Sequence, residues 1–452
     1  MNPLPRSTPE AQGASSAGIR AAIEALDALG GMHGILVLRH GSVIAESWWQ
    51  PYAASTPQLL FSISKSVTST AVGLAIDEGY LTLDSRVIDL LAEHAPAEPD
   101  ANLAAMTVRH LLTMTTGHAA DTMSILDRAE AGWARAILAE PVPHAPGTTF
   151  VYNTGATYLL SAIVQKYSGL SLTDYLQPML FGPMLITSAR WETSPEGIDV
   201  GGFSLRLLAE DVAKFGQLYL QHGEWNGTQL VPTAWIAEAT SNLVANGDNS
   251  DDLQAGYGYH FWQNRDGSYR GDGAFGQFVI VHDELDAVIV ITSGTSDMGA
   301  IAEAVFETLV PALAAAPAPA EIPAELMTPP LAAVAREYSQ QFYFPTNPLR
   351  IRTAGIIGQE LAIDDFRIPF ASGEWVQGGT LLVGGEVEPV AASGGWVDET
   401  TFLVEVRAIE TPYVLTIRIT LDGDTVDLRI DQNVSFDPVT SWRLVGGISS
   451  GS

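Results

Sequence analysis

The chain has no cysteine, which excludes disulfide bonds, thiolate metal ligands and a cysteine nucleophile. Lysine is nearly as scarce, occurring only at Lys65, Lys166 and Lys214. Acidic residues number 52 against 22 basic ones, a formal net charge of −30. Nucleic-acid phosphates and anionic membrane surfaces are therefore disfavoured partners. Charged residues make up 16% of the chain and hydrophobic residues 46%, the balance of a compact fold with a large core. No apolar run reaches the roughly 18 to 20 residues of a membrane span; Ala314–Ala320 is short and broken by prolines. The segment Met1–Gln12, with Pro3, Pro5, Arg6, Pro9 and Glu10, lacks the apolar stretch of a signal peptide, so cytoplasmic residence is the expectation. Among nine histidines none forms a His-Glu-x-x-His pair, and neither a metal nor another cofactor is expected.

The 452 residues are enough for two or three domains. Ile35–Arg39 and Val43–Trp49 flank His40-Gly41, and Phe278–Val281 and Ala287–Thr292 flank His282–Asp286. Each pair reads as a β-hairpin, and both fit one antiparallel sheet. Between them lie helical patterns at Ser66–Glu78, Val108–Met114, Thr157–Tyr167, Leu172–Leu180 and Ala209–Gln221. This is an α+β layout, an antiparallel sheet flanked by helices with an inserted helical region, over residues 1–311. Residues 312–330 are Pro- and Ala-rich and read as a linker. Residues 331–452 read as a helix at Leu331–Phe342 and then short strands, with Asp422-Gly423 as a hairpin turn. A small all-β barrel or sandwich follows for this second domain.

Ser-x-x-Lys occurs once, at Ser62 and Lys65. On a helix that spacing puts both side chains on one face. A serine hydroxyl needs a base to take its proton, and a lysine amine serves only when neutral. Burial lowers a lysine pKa toward neutrality, and Lys65 sits between Leu59-Leu60-Phe61 and an apolar helix. The helix start also aims free amides at negative charge, which makes the Ser62 N–H a candidate oxyanion donor. Taken alone, the tetrapeptide is equally well an ordinary capped helix start.

Several ordered segments decide between the two. They are Ser62-Ile63-Ser64-Lys65, Ala75–Asp84, Val108–His118, Pro146–Gly155, Gly201–Leu205 and Lys214–Leu218. Over roughly residues 1–300 the chain resembles the serine β-lactamase superfamily, in the branch of class C β-lactamases, related (family VIII) esterases, D-aminopeptidases and nylon-oligomer hydrolases. The resemblance implies Ser62 as nucleophile, Lys65 as its base and Tyr152, from a Tyr-x-Asn element, as a proton shuttle. Position 154, where the family has asparagine, is Thr154, with Asn153 one place earlier; either is a candidate substrate contact. His118 is a further candidate at the cleft, with a structural role as its alternative.

The family's Lys-Thr-Gly strand corresponds here to Gly271-Asp272-Gly273, without the lysine. The resemblance makes the Ala274 amide the second oxyanion donor and places Asp272 and Gly273 at the substrate. Losing that lysine removes a partner for the carboxylate of penicillins. Two motifs are set aside. Gly271–Gly276 fits Gly-x-Gly-x-x-Gly but precedes a strand rather than a helix, and Gly447–Gly451 fits Gly-x-Ser-x-Gly in the tail. The expected function is a serine hydrolase on small, non-anionic esters or amides. A penicillin-binding protein or β-lactamase, and a non-catalytic binding protein, are the alternatives. The second domain resembles the barrel-like (lipocalin-like) domains appended to some relatives. The sequence is silent on oligomeric state.

Overall fold

A computed structural model describes residues 3–448 apart from 127–130, 248–253, 329, 335, 384 and 439. Three residues of the set-aside Gly447–Gly451 motif lie outside the described residues.

The first hairpin is β1 (Met32–Arg39) and β2 (Ser42–Gln50). Further along come β3 (Trp262–Gln263), β4 (Tyr269–Gly273), β5 (Gln277–His282), β6 (Ala287–Ser293) and β7 (Glu325–Met327). They form one sheet in the order β7-β2-β1-β6-β5-β4-β3, antiparallel except for β7 on β2. Its central strands are apolar throughout because both faces are covered. Leu36, Leu38, Val279 and Val290 face one core, while Ile35, Val37, Ile280 and Ile291 face another. Helix α1 (Ser16–Leu29) covers the second face. The first carries α2 (Ile63–Asp77), α3 (Thr154–Ser168) and α4 (Ala209–Leu220).

Much of the stretch 312–330, read from the sequence as linker, is built onto this sheet: Val310–Ala314 is helical, Trp48 N–H donates to the Ala324 carbonyl at 3.0 Å, and Glu325–Met327 pairs with β2. Among the described residues, the helix expected at Leu331–Phe342 is absent. Val334 instead bridges Trp396, and Ser339–Tyr343 pairs with Thr353–Ile357. Helix-forming side chains are overridden there by the open hydrogen bonds of a neighbouring sheet edge.

That second sheet holds ten strands. They are β8 (Ser339–Tyr343), β9 (Thr353–Ile357), β10 (Glu360–Ile363), β11 (Phe366–Pro369), β12 (Val376–Val383), β13 (Glu386–Trp396), β14 (Thr401–Ala408), β15 (Val414–Asp422), β16 (Thr425–Gln432) and β17 (Ser441–Gly447). They run in the order β11-β10-β9-β8-β17-β16-β15-β14-β13-β12, an antiparallel, nearly closed barrel. The edge strands approach so closely that a Cβ on Gly379 of β12 would lie 3.0 Å from the Arg367 carbonyl oxygen of β11. Alternation fills the interior: Ile417, Ile419, Leu428 and Ile430 point inward, while Arg418 and Arg429 between them are exposed. Of the two β architectures open in the sequence, the barrel is the one observed.

Candidate active site

Helix α2 starts where the chain turns sharply. Phe61 sits at φ 46°, a left-handed conformation that costs a bulky residue about 1–2 kcal/mol. Ser62 follows as the residue capping the helix. The helix is buried on almost every side and rich in hydroxyls, and those hydroxyls tie it to the loops around it. Ser66 Oγ donates to the His260 carbonyl at 2.7 Å and Thr68 Oγ1 to the Gly201 carbonyl at 2.8 Å, while Ser64 Oγ accepts from Leu205 N–H at 3.1 Å. Tethering residues 201–205 in this way brings the Gly202 carbonyl onto Lys65.

Lys65 is 1% exposed. Its Nζ lies 3.1 Å from Ser62 Oγ, 2.7 Å from the Gly202 carbonyl oxygen and 3.4 Å from Thr154 Oγ1. Burial lowers its pKa to about 7, against an opposing pull from Asp121 and Asp272, so a large fraction is neutral at physiological pH. Tyr152 lies on the other side of the serine. Its hydroxyl lies near enough to Ser62 for that side chain to favour its ionised form against the effect of burial, and Lys65 Nζ stands 4.8 Å from its ring centroid. Burial first, and Asp272 second, raise the Tyr152 pKa, so the group is a phenol rather than a phenolate. Trp262 stacks on the ring at 5.3 Å and holds it in place. The constellation brings together a hydroxyl, a lysine amine poised between its two protonation states and a protonated phenol. It is competent for nucleophilic acyl transfer.

The sequence matches the beta-lactamase family over residues 19–309, which is most of the chain. The chain belongs to the beta-lactamase family. With that family it falls among the serine hydrolases. It is 25% identical over 284 residues to 6-aminohexanoate-dimer hydrolase of Paenarthrobacter ureafaciens, spanning 58% of this chain and 72% of the relative. It is 26% identical over 254 residues to penicillin-binding protein 4 of Amycolatopsis lactamdurans, spanning 48% of this chain and 65% of that one. In fold it is similar to an octameric penicillin-binding protein homologue from Pyrococcus abyssi, with a TM-score of 0.54 and 15% identity. That likeness covers 95% of this chain and 99% of the other, so it includes the barrel.

Around Ser62 and Lys65 lies a cavity of about 620 Å³. Asp272 lines it, paired with Arg270 at 3.0 Å, and burial raises the Asp272 pKa. Gly271 faces helix α2, where a Cβ would lie 2.9 Å from Ser66 Oγ. A side chain at this position, where the resemblance implies a lysine, would be directed at Ser66 and Val279. Gly273 does not line the cavity; a Cβ there would lie 2.1 Å from the Leu60 carbonyl oxygen. Its lack of a side chain lets β4 press against the turn that carries Ser62, and it brings Ala274, which lines the cavity, to the serine.

Like Gly273, two other candidate contacts, Asn153 and His118, do not line the cavity. Asn153 is fully buried, accepting from Gly155 N–H at 3.1 Å and from the Thr122 amide and hydroxyl at 3.1 and 2.7 Å. It caps α3 and does not reach the cavity, because its side chain turns back over the helix start. His118 is also buried, bonded to Thr116 Oγ1 at 2.9 Å and to the Asn153 amide at 3.3 Å, and has the structural role. Thr154 is the residue that faces the lysine.

Sequence reasoning allowed the barrel to cover the cleft but named none of the residues of the far wall, which comes from it. Val383, Glu386, Glu388, Tyr413 and Phe436 line the cavity opposite Ser62. Phe436 packs on Phe61 and Phe275 with ring centroids 5.9 and 4.8 Å apart, which sets barrel aromatics beside the residues flanking Ser62 and Ala274. A buried ion pair anchors this wall: Arg206 binds both carboxylate oxygens of Glu388 and reaches Glu410 at 3.4 Å, while Arg190 binds Glu410. Glu192 and Glu386 also line the cavity. Burial raises the Glu192 pKa, and Glu386 and Glu388 raise it further. Thr154, Asp121 and the Gly202 carbonyl were not identified as partners of Lys65, although the Gly201–Leu205 segment carried a signal.

Proposed function

We propose that the enzyme hydrolyses small, non-anionic esters or amides through an acyl-enzyme on Ser62. The observation that carries this reading is the contact of Ser62 Oγ with a buried Lys65 Nζ at 3.1 Å. Neutral Lys65 takes the Ser62 proton as Oγ attacks the carbonyl carbon. The amides of Ser62 and Ala274 receive the oxyanion, each such donor being worth about 3 kcal/mol. Tyr152 gives its proton to the leaving oxygen or nitrogen and regains one from the Lys65 ammonium. Water then attacks the acyl carbon and gives its proton to Lys65; the bond to Ser62 Oγ breaks, the Lys65 ammonium returns that proton to Oγ, and the acid is freed.

The charge of the cavity supports a substrate without a carboxylate. Asp121, Asp272, Glu192 and Glu386 line it, and Arg206 is already engaged by Glu388 and Glu410. An anionic acyl group would meet carboxylates and no free cation among the described residues. Penicillin recognition is for that reason the weaker reading.

The small-molecule substrate class and a cytoplasmic location belong to the same proposal. Among the described residues no helix is long and apolar enough to cross a membrane. The test is a panel of p-nitrophenyl esters, D- and L-aminoacyl amides and a chromogenic cephalosporin, run on the wild type and Ser62→Ala. Turnover of neutral esters or amides that Ser62→Ala lacks is expected. Preferential cephalosporin turnover would overturn the substrate assignment, and activity surviving in Ser62→Ala would overturn the mechanism.

A further inference from the structure

A neutral lysine nitrogen has two N–H bonds and one lone pair in tetrahedral array. Which way the lone pair points depends on which neighbours accept. Lys65 Nζ has three: Gly202 O at 2.7 Å, Thr154 Oγ1 at 3.4 Å and Ser62 Oγ at 3.1 Å. A carbonyl only accepts, but a hydroxyl donates or accepts, so Thr154 alone would leave the lone pair without a fixed direction. Asp121 removes the ambiguity. Thr154 Oγ1 donates to Asp121 Oδ2 at 3.0 Å, and with its proton spent there the hydroxyl turns a lone pair to Lys65. Both N–H bonds are then taken by Gly202 and Thr154, and the amine lone pair is left facing Ser62 Oγ.

We propose that Asp121 is a positioning residue that fixes the Thr154 hydroxyl as an acceptor and so aims the Lys65 lone pair at Ser62. The Asp121–Thr154 pair takes the place of the single asparagine expected at position 154 in the family. The proposal rests on the hydrolase reading above.

The surroundings are built to hold Asp121. Its Oδ1 accepts from Thr154 N–H at 2.8 Å and Met123 N–H at 2.9 Å. The next residue, Thr122, is tied to Asn153, and it lies so close to α3 that a Cβ on Gly155 would fall 2.0 Å from Thr122 Oγ1. The other titratable groups around Lys65 are Asp272, Tyr152 and His260. Asp272 is engaged by Arg270, and burial keeps Tyr152 protonated and His260 neutral. Of the two carboxylates, Asp272 and Asp121, it is Asp121 that bonds a side chain bonded in turn to Lys65.

Asp121→Asn separates this role from simple support of the helix start. The asparagine Oδ1 keeps both amide contacts, while its Nδ2 replaces an acceptor with a donor and reverses the Thr154 hydroxyl. The experiment is the pre-steady-state burst of p-nitrophenol from p-nitrophenyl acetate between pH 5 and 9. It uses the full chain as wild type, Asp121→Asn, Thr154→Val and the double variant, with thermal melts alongside. Each single variant should slow acylation about 10- to 100-fold, and the double variant should be within about threefold of the slower single one. The acid limb of Asp121→Asn should move to lower pH, because the negative neighbour that raises the Lys65 pKa is gone. Thr154→Val tests the acceptor without touching the carboxylate.

Wild-type acylation by either folded single variant would overturn the proposal. Losses that multiply in the double variant would do so as well, since Asp121 would then act on the substrate rather than through Thr154. A wild type that forms no acyl-enzyme on Ser62 would instead overturn the hydrolase reading.

Discussion

Replacing Lys65 with methionine should abolish activity and at the same time stabilise the protein at neutral pH. Lys65 is 1% exposed, and burial takes its pKa from 10.5 to about 7. Because the folded value lies below the unfolded one, the unfolded chain binds more protons between them, and stability rises with pH across that window. Below about pH 7 both states carry the proton and the cost of burying it is complete. Above about pH 10.5 neither does, and the cost is gone. A drop from 10.5 to about 7 corresponds to about 5 kcal/mol. Methionine avoids that cost but leaves the Gly202 carbonyl without its donor, a loss of about 1–3 kcal/mol. The variant should therefore be more stable by about 2–4 kcal/mol near pH 6 and less stable by about 1–3 kcal/mol at pH 10.5. Differential scanning calorimetry on both proteins across this range checks it, following the transition of the unit containing Trp48 and Trp262. Titration of groups remote from Lys65 is common to the pair and cancels in the difference, while Asp272 and His260, whose pKa values Lys65 lowers, add to it. The two curves of Tm against pH should cross, and a difference that stays constant with pH would refute the near-neutral buried amine.

Other outcomes follow from the same geometry. Gly273→Ala puts a methyl against the Leu60 carbonyl, 2.1 Å from the ideal Cβ position; it should lower kcat at least 100-fold, and wild-type kinetics would contradict the close approach. Glu388→Gln leaves Arg206, with its side chain 6% exposed, short of its bidentate partner, at a cost of about 3 kcal/mol. A thermal melt reads this, and an unchanged Tm would argue against the buried pair as anchor of the barrel. Phe436→Ala opens the wall over Phe61 and Phe275 and should raise kcat/KM for bulky p-nitrophenyl esters relative to the acetate. An unchanged ratio would show that the barrel does not set substrate size.

What could be read from the sequence was local. Both hairpins of the first sheet follow from apolar runs flanking short turns, and Ser62 and Lys65 lie one helical turn apart. Tyr152 came from an ordered motif. The choice between Asn153 and Thr154 could also have been made from sequence, since an asparagine directly before a helical pattern is an N-cap signal, and Asn153 does cap α3. The partners of Lys65 could not. Asp121 is 56 residues from it and Gly202 137 residues, and no spacing rule links them. Nor could the Arg206–Glu388 pair be foreseen, with the barrel making the roof of the cavity from the far end of the chain. The missed strand at Ser339–Tyr343 has the same origin, because its partner Thr353–Ile357, not its own propensity, fixes its conformation.

The central claim, that Ser62 is a nucleophile driven by a neutral Lys65, is tested most directly by timed labelling of the full chain with a fluorophosphonate, read by intact mass and peptide mapping at each pH. A single adduct on Ser62 is expected, absent in Ser62→Ala, with a rate that climbs through about pH 7 as Lys65 loses its proton. An adduct on another residue, no adduct on the folded protein, or a rate indifferent to pH between 5 and 9 would contradict the account.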